Sequence, residues 1–196
     1  TIMTRLPDLT HLLLVQDRCH AEDMTTTTTY SAEGTLAHGL RVAVRPMQPS
    51  DRPEVISGFQ QLSEESRYRR FMTGKPRLTA GDIRQLFDSD ELAMLLVWPR
   101  TSCDDIILGI AQAIRLPDDA SAAEFCIILA DEIQGQGAGR LLTAALAREA
   151  KAAGITHFTG YMLADNEAPA RLLRGVGTTE LDVIERTTRN MRVRLA

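Results

Sequence analysis

Three glycines at alternate positions, in the stretch QGQGAG at 134–139, constrain the fold more than any other feature of the sequence. A strand-like aliphatic run precedes the stretch and apolar residues at helical spacing follow it, so the stretch joins a strand to a helix. The free N–H groups at a helix start and the helix dipole favour an anion, and glycine leaves the backbone accessible. The stretch therefore predicts a site for a phosphate or pyrophosphate.

The residues beside the glycines exclude two common phosphate-binding motifs. The Lys-Ser/Thr pair of a nucleotide-hydrolysing P-loop is absent, and Arg140 stands where a dinucleotide-binding fingerprint needs its third glycine. Both motifs also require a parallel sheet at this point. Strand-like runs at 92–98, 106–116 and 123–129, joined by short turns, indicate an antiparallel meander instead. A tight turn that binds nothing remains the alternative.

Periodicity predicts the element order β-α-α-β-β-β-α-β-α-β-β. Besides the meander, strands are expected at 40–46, 155–163, 179–186 and 189–195. Helices are expected from residue 50 or 51 to 62, and at 79–87, 138–152 and 167–174. Residues 1–38 include five consecutive threonines and show no sustained period, which predicts a poorly ordered arm. The folded domain is therefore expected at 39–196.

Composition favours one soluble domain with an aliphatic core, because 44% of the 196 residues are hydrophobic and only 5% are aromatic. The net charge of −4 argues against a nucleic-acid binder. The scattered cysteines, Cys19, Cys103 and Cys126, predict neither a disulfide framework nor a metal site. No apolar run approaches the roughly 20 residues of a membrane span. We therefore expect a cytoplasmic protein without a metal, a membrane or a nucleic acid as partner.

The stretch 134–139 resembles the Q/R-x-x-G-x-G/A motif of the GNAT superfamily of acetyltransferases, and the element order from about residue 40 onward resembles the GNAT fold. The resemblance implies an α/β fold whose mixed central sheet of about seven strands is splayed at the acetyl-CoA site and flanked by about four helices. It also implies acetyl-CoA as co-substrate. The cofactor-binding residues that it implies are Ile127, Ile128, Leu129, Gln134, Gly135, Gln136, Gly137, Ala138, Gly139, Arg140, Asn166 and Arg171.

Two parts of that set carry further expectations. The backbone of 127–129 is expected to pair with the pantetheine arm and to polarise the thioester carbonyl. Asn166 resembles the asparagine that GNAT enzymes place beside the CoA arm, and it is equally placed to cap a helix. The family's tyrosine on the 167–174 helix is absent, which leaves the proton donor for the leaving thiolate open. Tyr161 is a candidate for it.

Glu124 is the candidate general base. Acetyl transfer to a lysine requires an accepted proton, because the side chain is an ammonium at neutral pH. In protein-acetylating GNAT enzymes an Ala-Glu pair at this place supplies the base, and Glu124 lies ten residues before Gln134. The alternative is a solvated glutamate at a strand entrance. Cys126, on the same strand face, is expected to be an inert buried thiol.

The stretch LSEESRYRRFM at 62–72, placed at the turn between the first two helices, resembles a signature of bacterial protein lysine acetyltransferases. That resemblance implies Tyr68, Arg70 and Phe71 as substrate-binding residues. The alternative is that Tyr68 and Phe71 cover the core while the arginines are solvated. Together, these resemblances indicate an acetyl-CoA-dependent N-acetyltransferase that acts on protein lysines. A small-molecule amine acetyltransferase and a non-catalytic acyl-CoA-binding module remain alternatives.

Overall fold

The computed structural model describes residues 30–87, 91–99 and 105–196. The strands are β1 (Ala32–Thr35), β2 (Arg41–Pro46), β3 (Leu92–Trp98), β4 (Ile106–Leu116), β5 (Asp119–Leu129), β6 (His157–Leu163), β7 (Gly177–Glu185) and β8 (Thr188–Leu195). The α-helices are α1 (Arg52–Gln61), α2 (Glu64–Phe71), α3 (Ala80–Phe87), α4 (Ala138–Ala152) and α5 (Glu167–Arg174).

The strands form one mixed sheet in the order β1-β2-β3-β4-β5-β6-β8-β7. Neighbouring strands are antiparallel except β5 and β6, which are parallel. The expected meander of β3, β4 and β5 is confirmed. The described residues hold eight strands and five α-helices rather than seven strands and four helices, because β1 and α2 were not expected.

The additional strand lies inside the segment that the sequence predicts to be an arm. β1 pairs with β2 from Ala32↔Val44 to Thr35↔Arg41, and Gly39, with a φ of 85°, turns the chain between them. Its sequence, AEGT, holds too few apolar residues to show an alternating pattern. The sheet therefore begins before residue 39, and the rest of the expected arm, residues 1–29, lies outside the described residues.

The additional helix, α2, replaces the expected turn at 62–72. The Ser63 hydroxyl caps it by accepting a hydrogen bond from the Ser66 N–H at 3.1 Å, and Met72, with a left-handed φ of 52°, ends it. Acidic residues occupy its first turn and basic residues its last turn, as the helix dipole favours. None of its residues is buried, so apolar periodicity could not reveal it.

Apolar side chains cover both faces of the sheet. One core joins the sheet to α4 and α5 and includes Leu142, Phe158 and Leu173, while a smaller core lies beneath α1 and includes Val55 and Leu95. The start of α1 is held by the buried Arg45 of β2, which donates to both Asp51 oxygens at 2.7 and 2.8 Å. The helices α1 to α3 are thereby kept on one face, opposite α4 and α5.

The sheet divides between its two parallel strands. β5 and β6 are paired only from Ala122↔His157 to Glu124↔Thr159. Beyond Glu124, β5 stays paired with β4 as far as Leu129, whereas β6 stays paired with β8 as far as Leu163. The backbone of β5 after Glu124 therefore borders an open gap. This gap is the expected splay.

Candidate active site

The glycine stretch forms a loop at the end of β5 that opens directly into α4. Gly135 and Gly137 have left-handed φ values of 73° and 96°, and a Cβ at either position would meet nothing within 4 Å. Gly137 occupies the N-cap position of α4, and no side chain caps the helix there. The first N–H groups of α4, which include that of Ala138, are thus oriented as an anion site requires.

The third glycine has a different explanation. A Cβ on Gly139 would lie 3.1 Å from Leu172 Cδ1, so this position is small because α5 packs closely against α4. Gly139 still belongs to the first turn of α4, and Arg140 beside it is exposed. The expected ligand contacts at these two positions therefore reduce to a backbone N–H and an exposed guanidinium.

The two glutamines of the stretch hydrogen-bond to the protein. Gln134 Nε2 donates to Leu129 O at 3.1 Å, to Asp131 Oδ1 at 3.2 Å and to Ser66 Oγ at 3.2 Å. Gln136 Nε2 donates to Glu132 O at 2.6 Å. These side chains therefore hold the loop in shape through bonds within the protein.

Asp131, which the sequence did not single out, connects the glycine loop to α2. Its carboxylate accepts hydrogen bonds from Ser63 N at 2.8 Å, from Ser63 Oγ at 3.2 Å and from Ser66 Oγ at 2.5 Å. Gln134 donates to the same carboxylate. Ser66 of the 62–72 signature thus contacts the glycine loop. The feature of the sequence that could have revealed this contact is the carboxylate three residues before Gln134.

Glu124 lies at the point where β5 and β6 separate. Glu124, Cys126 and Ile128 share the face of β5 on which α2 packs, and Cys126 Sγ is 3.8 Å from Glu124 Oε1. Burial raises the pKa of the Cys126 thiol to about 11, with the Glu124 charge also contributing. The thiol is therefore protonated at neutral pH and is not a nucleophile. Glu124 itself is half-buried.

The same face borders a cleft of about 130 Å³ between the sheet and helices α1 to α3. Its lining is mostly apolar and includes Ile128 and Leu129 of the gap-facing part of β5. Ile127 and Leu129 alternate to the opposite face and pack against the core beneath α4, and Leu129 also borders the cleft. Of the three expected contributors to the cofactor arm, two therefore face or border the cleft.

The expected acceptor residues separate into two groups. Arg70 and Phe71 line the cleft, where the Phe71 ring packs edge-on against Phe59 with centroids 5.6 Å apart. The Arg70 guanidinium and Lys75 Nζ lie 4.8 and 4.5 Å from the Phe71 centroid. Tyr68 does not join them, because it is 46% exposed and borders a separate depression beside Asp165.

The remaining candidates lie on β6 and α5, across the gap from β5. Asn166 is buried immediately before α5, but its side chain makes no cap hydrogen bond with that helix. Arg171 is exposed on α5, and Tyr161 of β6 is 50% exposed.

The described residues contain no group of His, Cys, Asp and Glu side chains that could hold a metal ion. None of the helices in the described ranges could span a bilayer.

The sequence profile of the family described as "Acetyltransferase (GNAT) domain" matches residues 41–179. "Acetyltransferase Pat" of Mycolicibacterium smegmatis is 30% identical over 135 residues, which are 68% of this chain and 40% of that protein. The chain thus spans about two fifths of the length of this curated relative.

Solved structures share the fold. The GNAT domain of S. lividans PAT has a TM-score of 0.69 and 23% identity, over 84% of this chain and 96% of that chain. Spermidine N-acetyltransferase from Vibrio cholerae, in complex with CoA and spermine, has a TM-score of 0.58 and 15% identity, over 79% of this chain and 95% of that chain.

The contact between α2 and the glycine loop can be measured with a double-mutant cycle of Ser66→Ala and Asp131→Ala. The Ser66 hydroxyl donates to a carboxylate in a part-buried position, so we expect a coupling free energy of about 1–1.5 kcal/mol in urea unfolding. The matched control is Ser121→Ala with Asp119→Ala, an exposed hydroxyl–carboxylate pair two residues apart, which should show no measurable coupling. A Ser66–Asp131 coupling as small as the control's would contradict the structural role of this contact.

Proposed function

Because this chain belongs to the GNAT acetyltransferase domain family, we propose that it transfers the acetyl group of acetyl-CoA to the ε-amino group of a lysine in another protein. The observation that carries the proposal is the position of Glu124. It lies at the fork between β5 and β6, on the face that borders the cleft. A half-buried carboxylate where the unpaired part of β5 begins, on the face that borders a mostly apolar cleft, suits the acceptance of a proton.

In the proposed complex, acetyl-CoA lies in the gap between β5 and β6. The N–H groups at the start of α4, including that of Ala138, hold the pyrophosphate, since Gly135 and Gly137 leave the approach open. The pantetheine arm pairs with the open backbone of 125–129 in the manner of an added strand. Asn166 and Arg171 border the gap from the side of α5, where they extend the polar contacts of the arm.

The chemistry is a direct transfer without an acyl-enzyme. Glu124 accepts the proton of the lysine ammonium, directly or through a water, because only the neutral amine attacks. The N–C bond forms first, and a gap-facing N–H of β5 stabilises the oxyanion. The C–S bond then breaks as the nitrogen releases its second proton to water. The protonated Cys126 thiol takes no part. Tyr161, half-exposed on β6, is the proposed donor to the leaving thiolate.

A protein lysine is favoured over a small amine by two observations. The curated relative is a Pat acetyltransferase, and Arg70 and Phe71 of the signature at 62–72 line the cleft. A small polyamine is the second candidate, because spermidine N-acetyltransferase shares the fold. A cytoplasmic location is part of the proposal, because the three scattered cysteines do not form the pattern of a disulfide framework.

Replacing the proposed base tests the enzyme against a non-catalytic acyl-CoA-binding module. Glu124→Gln should lower kcat at least about 100-fold and leave the Kd of acetyl-CoA within about twofold, because it removes proton transfer and keeps the shape. The measurement is CoA release with a panel of lysine-bearing proteins and small amines. The matched control is Glu149→Gln, which should behave as wild type. Glu149 is a carboxylate on α4 whose ion pair, among the described residues, is with Arg148.

Three outcomes separate the candidates. Turnover of proteins but not of amines supports the lysine acceptor, and the reverse favours the polyamine. Tight acetyl-CoA binding without turnover of any panel member, in wild type and Glu124→Gln alike, would leave only the binding module.

The glycine loop can be tested with two alanine substitutions that carry the same backbone strain. Gly137 and Gly154 flank the two ends of α4, both have left-handed φ values, and a Cβ at either meets open space. Each Gly→Ala change should destabilise the fold by about 1 kcal/mol. Only Gly137→Ala should also weaken acetyl-CoA binding, by about tenfold or more in calorimetry, because its Cβ enters the proposed phosphate site. Equal binding by the two variants would show that the phosphate lies elsewhere.

A further inference from the structure

Two glutamine side chains line the cleft between the sheet and helices α1 to α3, and each has a polar group without a hydrogen-bond partner among the described residues. Gln112 of β4 is only 6% exposed, lines the cleft, and makes no hydrogen bond with any other residue that the structure describes. Gln61, at the end of α1, lines the same cleft, and its Oε1 is enclosed and unpartnered within the described residues. A sealed polar atom such as Gln61 Oε1 is nearly always paired, because an unpaired one loses its water without replacement. Together with the Gln112 amide in the same cleft, it indicates a polar ligand group.

The position of Gln112 relates it to the proposed chemistry. Its Cα pairs with that of Cys126, so on the cleft face it lies beside Cys126 and diagonal to both Glu124 and Ile128. Diagonal neighbours on a sheet face have Cα atoms about 7–8 Å apart, within reach of a long side chain or a bound group between them. Gln112 is thus between the proposed base and the part of β5 that borders the thioester.

The size and lining of the cleft limit what it can accept. Its volume of about 130 Å³ is well below the roughly 300–1,000 Å³ of pockets that enclose a drug-sized ligand. The lining is mostly apolar and includes Phe59, Phe71 and Ile110, with charged side chains such as Arg70 and Asp82 also present. Such a space fits one unbranched aliphatic chain, and it excludes a bulky polyhydroxylated amine.

Amide oxygens in this position suit a neutral amine better than a carboxylate would. An amide oxygen accepts N–H hydrogen bonds but carries no net charge, so it holds an amine without strongly favouring the ammonium form, as a carboxylate would. Carboxylates also line the cleft, but Asp82 is paired with Lys75 and Asp131 accepts from the Ser66 hydroxyl. A reactive neutral amine therefore costs less beside Gln112 and Gln61 than beside these acids. An acyl chain longer than acetyl would also fit the apolar walls, but it would leave both amides unpaired.

We propose that Gln112 and Gln61 are the residues that select the acceptor, by accepting hydrogen bonds from a primary amine carried on an unbranched aliphatic chain such as that of lysine. This inference rests on the proposed function for the role of the cleft. It assigns the acceptor class to two side chains that neither the glycine motif nor the signature at 62–72 includes.

Gln112→Leu and Gln61→Leu test the proposal, with Gln60→Leu as the matched control because Gln60 is the exposed neighbour on α1. The first readout is the affinity of a short peptide with one lysine, measured by calorimetry with CoA saturating, which requires no turnover. Each cleft variant should weaken peptide binding about tenfold, the scale of one hydrogen bond, and leave acetyl-CoA affinity within twofold. Because Gln112→Leu removes an unpaired amide, its Tm should rise by about 2–4 °C. Gln60→Leu should change neither the peptide affinity nor the Tm.

The outcomes keep this inference separate from the proposed function. Weaker peptide binding in both cleft variants supports the inference even if wild type turns over no substrate, in which case the proposed function alone fails. Unchanged peptide affinity in both variants overturns the inference even if Glu124→Gln abolishes turnover. A wild type that binds no lysine peptide overturns it as well. Cleft variants that alter affinity for butyryl-CoA, and not for the peptide, show that the space holds an acyl chain.

Discussion

The early separation of β5 from β6 is the constraint on which the rest of the site depends. The two strands pair only as far as Glu124, so the last five residues of β5 have a partner on one side alone. An unpaired strand backbone is normally a liability, and here it lies inside the sheet, where a ligand with amide groups can complete the ladder. The same separation places Glu124 at the fork and directs the end of β5 into the glycine loop. The open backbone and the carboxylate thus share one strand, and the glycine loop follows at its end.

Asp131 joins the two halves of the site that this strand organises. It lies between the end of β5 and the glycine loop, and it receives the hydroxyls of α2 as well as the amide of Gln134. The glycine loop and the helix that borders the cleft are therefore joined through a single carboxylate. Asp131 also accounts for part of the signature at 62–72, because Ser66 contacts Asp131 and Gln134 while Arg70 and Phe71 line the cleft. A short helix without buried residues is kept in place by these bonds rather than by apolar packing.

The sequence predicted the parts of the fold that have a strong apolar period and missed those that do not. The meander strands β3 and β4 and the helices α4 and α5 have the predicted bounds, because the two strands are nearly continuous apolar runs and the apolar residues of the two helices recur at helical spacing. β1 is only four residues long, and the sequence of α2 is mostly charged, so neither shows such a period. The position of α2 depends instead on its bonds to Asp131. In the site, the glycines and Glu124 were readable from motif and spacing. Gln112 and Gln61 were not, because a glutamine in a strand or at a helix end is usually solvated, and only the packed structure reveals that these two are enclosed.

The location of acetyl-CoA in the gap can be measured most directly by amide hydrogen exchange of the β5 backbone with and without the cofactor. If the pantetheine arm completes the ladder, the gap-facing N–H groups within 125–129 gain protection of about tenfold or more on binding, together with the first N–H groups of α4. The N–H groups of β5 that already pair with β4 should change far less. Protection that appears elsewhere while the 125–129 amides keep their exchange rates would contradict an acetyl-CoA site between β5 and β6.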